Sequence, residues 1–545
     1  MRDVTGKIHA SSMGSLDRRS VLGGGLGAGG LALAAASGLS RPARAAADPV
    51  AETRYGKVRG TVVDGVHVFK GVRYGADTAP RRFQAPEPPT PWAGIADALA
   101  YGASSPQGDT REAVQSEDCL FLNVWTPALT GKRPVMVYFH GGAYNNGSGS
   151  SPLYDGTRLA RRQDVVVVTV NHRLNAFGYL YLARHGGEAF ADSGNAGQLD
   201  LVLSLRWVRD NIERFGGDPD SVMVFGQSGG GAKIATLMAM PAAAGLFHRV
   251  ATMSGQQVTA SGPRNAMART DAFLKQLGIA PDQVDLLRTL PAEQLKAGLK
   301  AVDPIAGAGG VYVGPVLDER NLLRHPFYPD APAQSAAIPM IIGNTHDETR
   351  NLIGGGDPSV WDLTWETLPA KLFPAMRVDI NPDVVVAEYR RLYPAYSPSD
   401  VFFAATTAGR SWRGAVIELE ERARQPAGSA PTWAYQFDFR SPRDGGKWGA
   451  AHAFDIPLVF DNIAAEGSAS GTGPEAQALA DRMSAAFAAF ARTGRPDHPG
   501  MPRWEPFTLG RRAHMVFDVD TRMVEDPRGA ERRLFAKVPF VQFGT

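Results

Sequence analysis

The sequence predicts an α/β protein built on a central, mostly parallel sheet with helical insertions around a cleft. Short apolar, β-branched runs recur at 134–139, 165–170, 222–225, 250–253 and 338–342, and loops and helical stretches follow them. That alternation marks βαβ units, whose strands are buried on both faces and read as continuous apolar runs. Between 215 and 230 a helix ends, a turn follows, a short strand rises and a glycine-flanked elbow opens the next helix. The 545 residues contain no internal repeat and no linker-like stretch, so residues 48–545 are read as one domain.

Taken in order, residues 1–47 are read as a cleaved export signal. Arg18-Arg19 precede an apolar stretch, 21–39, that holds seven glycines, and Ala43-Arg-Ala45 or Ala45-Ala-Ala47 then offers a small-x-small cleavage site. Paired arginines before a weakly hydrophobic core resemble a bacterial twin-arginine signal. So many glycines make a poor membrane anchor, and none is expected after cleavage near residue 46 or 48. The mature protein is therefore expected in the periplasm or secreted. The signal holds six Lys/Arg and two Asp/Glu, so the chain's formal +2 becomes −2 once it is removed. No basic tract, P-loop or Rossmann fingerprint is present, and nucleic acid is not expected as a partner. No Cys/His spacing of the metal-binding type appears. Cys119 is the single cysteine; it reads as a small buried hydrophobe, and no intramolecular disulfide can form.

From 53 to 74 apolar residues alternate around Asp64-Gly65, the pattern of a small antiparallel hairpin system. A proline-rich coil follows over 79–92. The stretch 255–339 is less regular, with helices expected over 266–277 and 282–290 that shape a substrate cleft. An alanine-rich helix over 474–493 opens on Pro474 and stops before Gly494.

The chemistry centres on Gly226-Gln227-Ser228-Gly229-Gly230. Before it, Leu201, Leu205, Val208, Ile212 and Phe215 fall at helical spacing; after it, 232–240 reads as a helix stopped by Pro241. A strand-to-helix turn this tight leaves no room for side chains beside Ser228, whose hydroxyl is expected to project into a cleft from a strained backbone. Ser228 is thus a nucleophile candidate. Such a hydroxyl needs a base, a group that orients the base, and donors for an oxyanion. His140-Gly141-Gly142-Ala143-Tyr144, closing the 134–139 strand, offers bare N–H groups, and Gly229 at the helix start adds another. The acid should follow a later strand: Glu348 or Asp347, with Asp318 as rival. The base should lie beyond it, at His452, His498 or His514, of which His452, on a loop after the 433–439 strand, is the best placed.

Two long motifs carry a family resemblance. Glu117-Asp-Cys-Leu-Phe-Leu-Asn-Val-Trp-Thr-Pro127 and the sixteen residues 215–230 resemble segments of the type B carboxylesterases, the carboxylesterase/cholinesterase group. Asn171-His-Arg-Leu-Asn175, Gly194-Asn-Ala-Gly-Gln-Leu-Asp200, Met253-Ser-Gly255 and Phe490-Ala-Arg-Thr-Gly-Arg-Pro496 look like further family segments in the right order. The resemblance implies the α/β-hydrolase fold and hydrolysis of small-molecule carboxylic esters through an acyl-enzyme. Ser228 then matches the nucleophile, Glu348 the acid and His452 the base, and no cofactor is needed. The oxyanion donors match Gly142, Ala143 and Gly229, one residue on from the His-Gly-Gly start. The same machinery on amides, thioesters or lactones is an alternative, and a non-catalytic recognition protein a more distant one.

The chain departs from that family in three places. Cys119 lacks the disulfide partner that commonly closes the 103–117 loop, so that loop must be held otherwise or be mobile. Gln227 stands where glutamate is frequent. No aromatic residue lies between Tyr101 and Phe121, where cholinesterases present a choline-binding tryptophan, which argues against a cholinesterase. Pocket residues are expected from 300–330, 350–375 and 400–412.

Overall fold

The apolar runs form the middle of a large mixed sheet. The computed structural model describes residues 48–108, 111–112, 114–542 and 544–545; the expected export signal lies outside the described residues. The chain opens with β1 (Val50–Thr53), β2 (Gly56–Arg59), β3 (Thr61–Val63) and β4 (Val66–Arg73). β1 and β2 pair antiparallel, and β5 (Ile95–Asp97) joins β2 in a separate three-stranded sheet. β3 and β4 pair antiparallel across Asp64 at φ 49° and Gly65 at φ 80°, the left-handed pair a tight hairpin turn requires.

The remaining strands are β6 (Phe121–Thr126), β7 (Arg133–Phe139), β8 (Val166–Val170), β9 (Gly217–Gln227) and β10 (Arg249–Met253), then β11 (Met340–Thr345), β12 (Thr432–Phe437), β13 (Ala513–Phe517) and β14 (Arg522–Glu525). The order across the sheet is β14-β13-β12-β11-β10-β9-β7-β8-β6-β4-β3. From β8 to β13 every neighbouring pair is parallel, and both flanks are antiparallel.

The period-two rule of a strand separates the two cores. Val135, Val137, Val222 and Val224 face one cluster with Leu201, Leu205 and Val208 of helix Ala196–Asn211. Met136, Tyr138, Met223 and Phe225 face the other, with Leu479, Met483 and Phe487 of helix Pro474–Thr493. Each such side chain contributes about 1.5–3 kcal/mol on burial, so both faces hold the strands that end at the site.

Two expected helices differ in detail. The helix after the elbow spans Gly229–Leu237, beginning directly after Ser228. The 282–290 stretch is a 3₁₀ segment, Pro281–Arg288, interrupted at Gln283, whose side chain turns back to accept from the Ala280 N–H. The 103–117 loop is held without a disulfide. Ser104 N–H donates to the Val114 carbonyl and Ser116 N–H to that of Ser104, while Leu174 N–H donates to Ser105 Oγ at 3.1 Å and Gly147 N–H to Gln107 Oε1 at 2.7 Å. Cys119 is buried with a free thiol. Arg173 and Asp200, from two of the resembling segments, form a fully buried pair at 2.6 Å. Breaking such a pair from one side costs about 3–5 kcal/mol.

Candidate active site

β9 runs directly into the elbow. Ser228 has φ 57° and ψ −125°, a region that costs a non-glycine residue on the order of 1–3 kcal/mol. Its N–H donates to the Met253 carbonyl at 2.8 Å, and its own carbonyl accepts from Ala232 N–H at 3.1 Å. Backbone surrounds the turn so closely that a Cβ at Gly230 would lie 1.9 Å from the Phe139 oxygen, one at Gly229 2.2 Å from the Ala143 oxygen, and one at Gly255 2.0 Å from the Ser228 oxygen. The strained serine is held by neighbours that only glycine permits.

The loop after β7 approaches from the other side. Gly142 at φ 82° and Ala143 at φ 51° are both left-handed, and the N–H groups of Asn145 and Asn146 both donate to the Gly142 carbonyl. Among the described residues the N–H groups of Gly142 and Ala143 donate to no protein acceptor, and Gly229, first in its helix, has no intrahelical acceptor. Ala143 and Gly229 line the same cleft as Ser228. Lys233, buried in the elbow helix, donates from Nζ to the His140 carbonyl at 3.0 Å and supports the loop from behind. Burial pushes its ammonium down to about 7. Burial first, and Lys233 second, holds both His140 and His172 well below the ordinary imidazole range. Sequence reasoning missed Lys233, because a single lysine after three glycines reads as a solvated residue.

Glu348 opens helix Glu348–Leu352 three residues beyond β11 and is fully buried. Its Oε1 accepts from Thr345 N–H at 3.0 Å and Asn344 Nδ2 at 3.2 Å, and its Oε2 makes a short hydrogen bond with His452 Nδ1. Burial alone raises the carboxyl. The His452 ring and the hydrogen bonds from Ser254 and Asn344 outweigh it, so the group lies below its ordinary value and is ionised at neutral pH. Asn351 Nδ2 donates to the His452 carbonyl at 3.0 Å. Ser228, Ala143, Gly229 and His452 line one cleft of about 160 Å³.

The Carboxylesterase family model matches residues 47–535. The chain belongs to the carboxylesterase family. It is 37% identical over 500 residues to the para-nitrobenzyl esterase of Bacillus subtilis, covering 89% of this chain and 98% of that protein. It is 33% identical to the phenmedipham hydrolase of Pseudarthrobacter oxydans, covering 86% of this chain and 94% of that one. The solved Geobacillus stearothermophilus carboxylesterase superposes with a TM-score of 0.79 at 39% identity, over 89% of this chain and 99% of that one. The fold is the α/β-hydrolase fold, and the protein is a carboxylic-ester hydrolase.

In this carboxylesterase the rival residues have other partners. Asp347 Oδ2 accepts from Ala450 N–H at 2.9 Å, and Asp347 N–H donates to the Ala450 carbonyl at 2.9 Å, so it ties down the loop that carries His452. Asp318 accepts from the N–H groups of Asn321 and Leu322 and from Asn195 Nδ2, closing a turn. His498 contacts the carbonyls of Pro499 and Arg482. His514, on β13, bonds the Arg512 carbonyl and is pushed down to about 4 by burial.

The cleft wall takes Tyr312, Leu352, Arg410 and Ser411 from the three segments expected to supply it, together with Arg377 and Gln542 from outside them. A larger hollow of about 530 Å³, near β2, β4 and β5, is lined by no serine, histidine or cysteine. Among the described residues no group of three or more His, Cys, Asp and Glu is placed to hold a metal ion, and no helix is long and apolar enough to cross a membrane.

Proposed function

We propose that this carboxylesterase cleaves small-molecule esters with Ser228 as nucleophile, His452 as base and Glu348 as the acid that orients it. The observation that supports the reading is a strained Ser228 that shares one cleft with Ala143 and with His452, whose Nδ1 is bonded to the buried Glu348. His452 Nε2 takes the Ser228 proton as Oγ attacks the acyl carbon, and Glu348 stabilises the imidazolium that forms. The N–H groups of Gly142, Ala143 and Gly229 receive the oxyanion. In comparable sites each such donor is worth about 10²–10³-fold in kcat. Collapse expels the alcohol with the proton from His452 and leaves the acyl-enzyme. Water, deprotonated by the same ring, releases the acid and restores Ser228.

The test is a series of p-nitrophenyl esters of increasing chain length, alongside a fluorophosphonate label and Ser228→Ala. Labelling at Ser228 and loss of turnover in the variant are expected; equal turnover in the variant would end this mechanism.

We also propose that residues 1–47 form a twin-arginine export signal and that residues 48–545 act as the mature single domain, in the periplasm or secreted. The paired arginines, the glycine-rich apolar stretch and the small-x-small site support this. Intact mass of the exported protein should place its first residue near 46 or 48, and an exported chain retaining Arg18-Arg19 would refute it.

A further inference from the structure

We propose that the cleft selects esters carrying a carboxylate, on either the acyl or the leaving-group side, and that Arg410 and Arg377 bind that carboxylate. The proposal rests on the serine-esterase reading of Ser228. Both arginines line the same cleft as Ser228 and His452, and among the described residues no Asp or Glu lines it. Two buried acids hydrogen-bond to residues of the lining. Glu348 is spent on His452. Glu418, reached through the Gln257 N–H, is held up at about 8 by burial and is neutral at neutral pH.

Each arginine sits on an irregularity of the backbone. Helices Pro398–Thr407 and Arg413–Ala423 are joined by a π-helical turn, Ala408–Trp412, that contains Arg410. Such wide turns within helices recur at functional sites. Arg377 lies just past helix Leu368–Ala375 at φ 58°, a left-handed conformation that costs an L-residue about 1–2 kcal/mol. Two unfavourable local conformations thus accompany two like charges in one wall.

The charges raise each other's cost. Burial, followed by the nearby Arg377, pushes Arg410 down to about 9, and burial pushes Arg377 down to about 10. Both stay protonated at neutral pH, and a carboxylate between them relieves that cost while accepting planar, paired N–H donors. Part of the remaining wall is polar as well, beside Tyr144, Ala232, Tyr312 and Leu352. Gln256 Oε1 is buried with no hydrogen-bond partner, and Gln256 Nε2 lies 3.5 Å from Ser411 Oγ.

The test compares kcat/KM for p-nitrophenyl hemiglutarate with p-nitrophenyl methyl glutarate, its neutral counterpart, and for 4-carboxyphenyl acetate with phenyl acetate. On the side that carries the carboxylate, the anionic ester is expected to be favoured tenfold or more, less so at high salt. The ratio should fall toward unity in Arg410→Gln and Arg377→Gln and be partly retained in Arg410→Lys. Glutarate itself should inhibit competitively, with a Ki at least tenfold weaker in Arg410→Gln. Fluorophosphonate labelling of each variant reports a folded site, and a variant that fails to label leaves the other two to decide. Neutral esters favoured in both pairs, or a ratio unmoved by the folded variants, would overturn the proposal while leaving the serine mechanism intact. A wild-type protein that neither labels nor cleaves any of the four esters overturns both.

Discussion

The side-chain amide of Gln227 lies 3.1 Å from Nε2 of His452, the ring nitrogen turned away from Glu348. With the Nδ1–H donating to Glu348, Nε2 accepts from the Gln227 amide, and it is this nitrogen that takes the Ser228 proton in the proposed mechanism. In Gln227→Glu a carboxylate would face that nitrogen and favour the protonated ring. The acidic limb of the pH profile of kcat/KM is then expected to move to higher pH. Gln227→Met, which removes the amide donor without adding charge, should leave the limb in place. Rates on p-nitrophenyl acetate from acid to neutral pH check both, and an unmoved limb in Gln227→Glu would place the pair outside the reaction.

Adjacent carboxylates have separable effects. Glu348→Gln keeps the shape but loses the charge that steadies the imidazolium, and kcat should fall about 10³–10⁴-fold, as for other triad acids. Asp347→Ala strips the partner from the buried Ala450 N–H and should cost about 1–3 kcal/mol of stability. Its kcat should fall less than that of Glu348→Gln. Thermal unfolding and kcat measured on both variants check this, and the reverse pattern would exchange the two roles.

Gly229→Ala addresses the donors. The added methyl would lie 2.2 Å from the Ala143 carbonyl oxygen and 2.5 Å from its Cα, so the loop bearing Gly142 and Ala143 must retreat. A kcat loss of at least about 10²-fold is expected, the worth of one oxyanion donor, with KM much less affected. Wild-type kcat in a folded variant would remove this loop from the mechanism.

Glu418 gives stability a pH dependence. It is fully buried, its Oε1 accepts from Gln257 N–H at 2.7 Å, and its Oε2 has no partner. Burial raises its carboxyl from 4.5 to about 8, so the fold favours the protonated form. Its contribution is complete below about 4.5 and is lost as pH rises through about 8. Glu418→Gln keeps the acceptor and removes the titration. Relative to wild type it should gain on the order of a few kcal/mol at pH 9, at about 1.4 kcal/mol per tenfold change in acidity, and less than about 1 kcal/mol at pH 5. Calorimetry at the two pH values checks this, and a pH-independent difference would count against it.

The strands were legible because a parallel strand buried on both faces leaves an uninterrupted apolar run, as 134–139 and 166–170 do. The elbow was legible because close backbone contact leaves glycine no substitute at Gly229 and Gly230. The choice between Asp347 and Glu348 was not readable from the residues themselves. Neighbouring carboxylates share a sequence environment, and what separates them is a Thr345 N–H on one and an Ala450 N–H on the other. Arg377 and Gln542 escaped for a different reason, and for Arg410 only its segment, 400–412, was foreseen. They reach the cleft from distant segments without periodicity, and a π-helical turn leaves no mark in a hydrophobic pattern. Gln227 stood out as a departure, but its contact with His452 depends on a loop some 225 residues away.

The two hydrogen bonds between Asp347 and Ala450 act as a clasp at the base of a long excursion. Everything between these residues, including Leu352, Arg377 and Arg410 of the cleft wall, belongs to one closed loop of chain, with Glu348 and His452 next to its fastening. The excursion also carries β12, which belongs to the sheet, so it is the stretch ahead of that strand that can be rewritten while the ends return to the same register. For an engineer, or for natural divergence, this separates the choice of substrate from the machinery that cleaves it. New specificities can be grafted between 353 and 431 provided β12, the clasp, and the glycine at 449 that packs against Asp347, are kept.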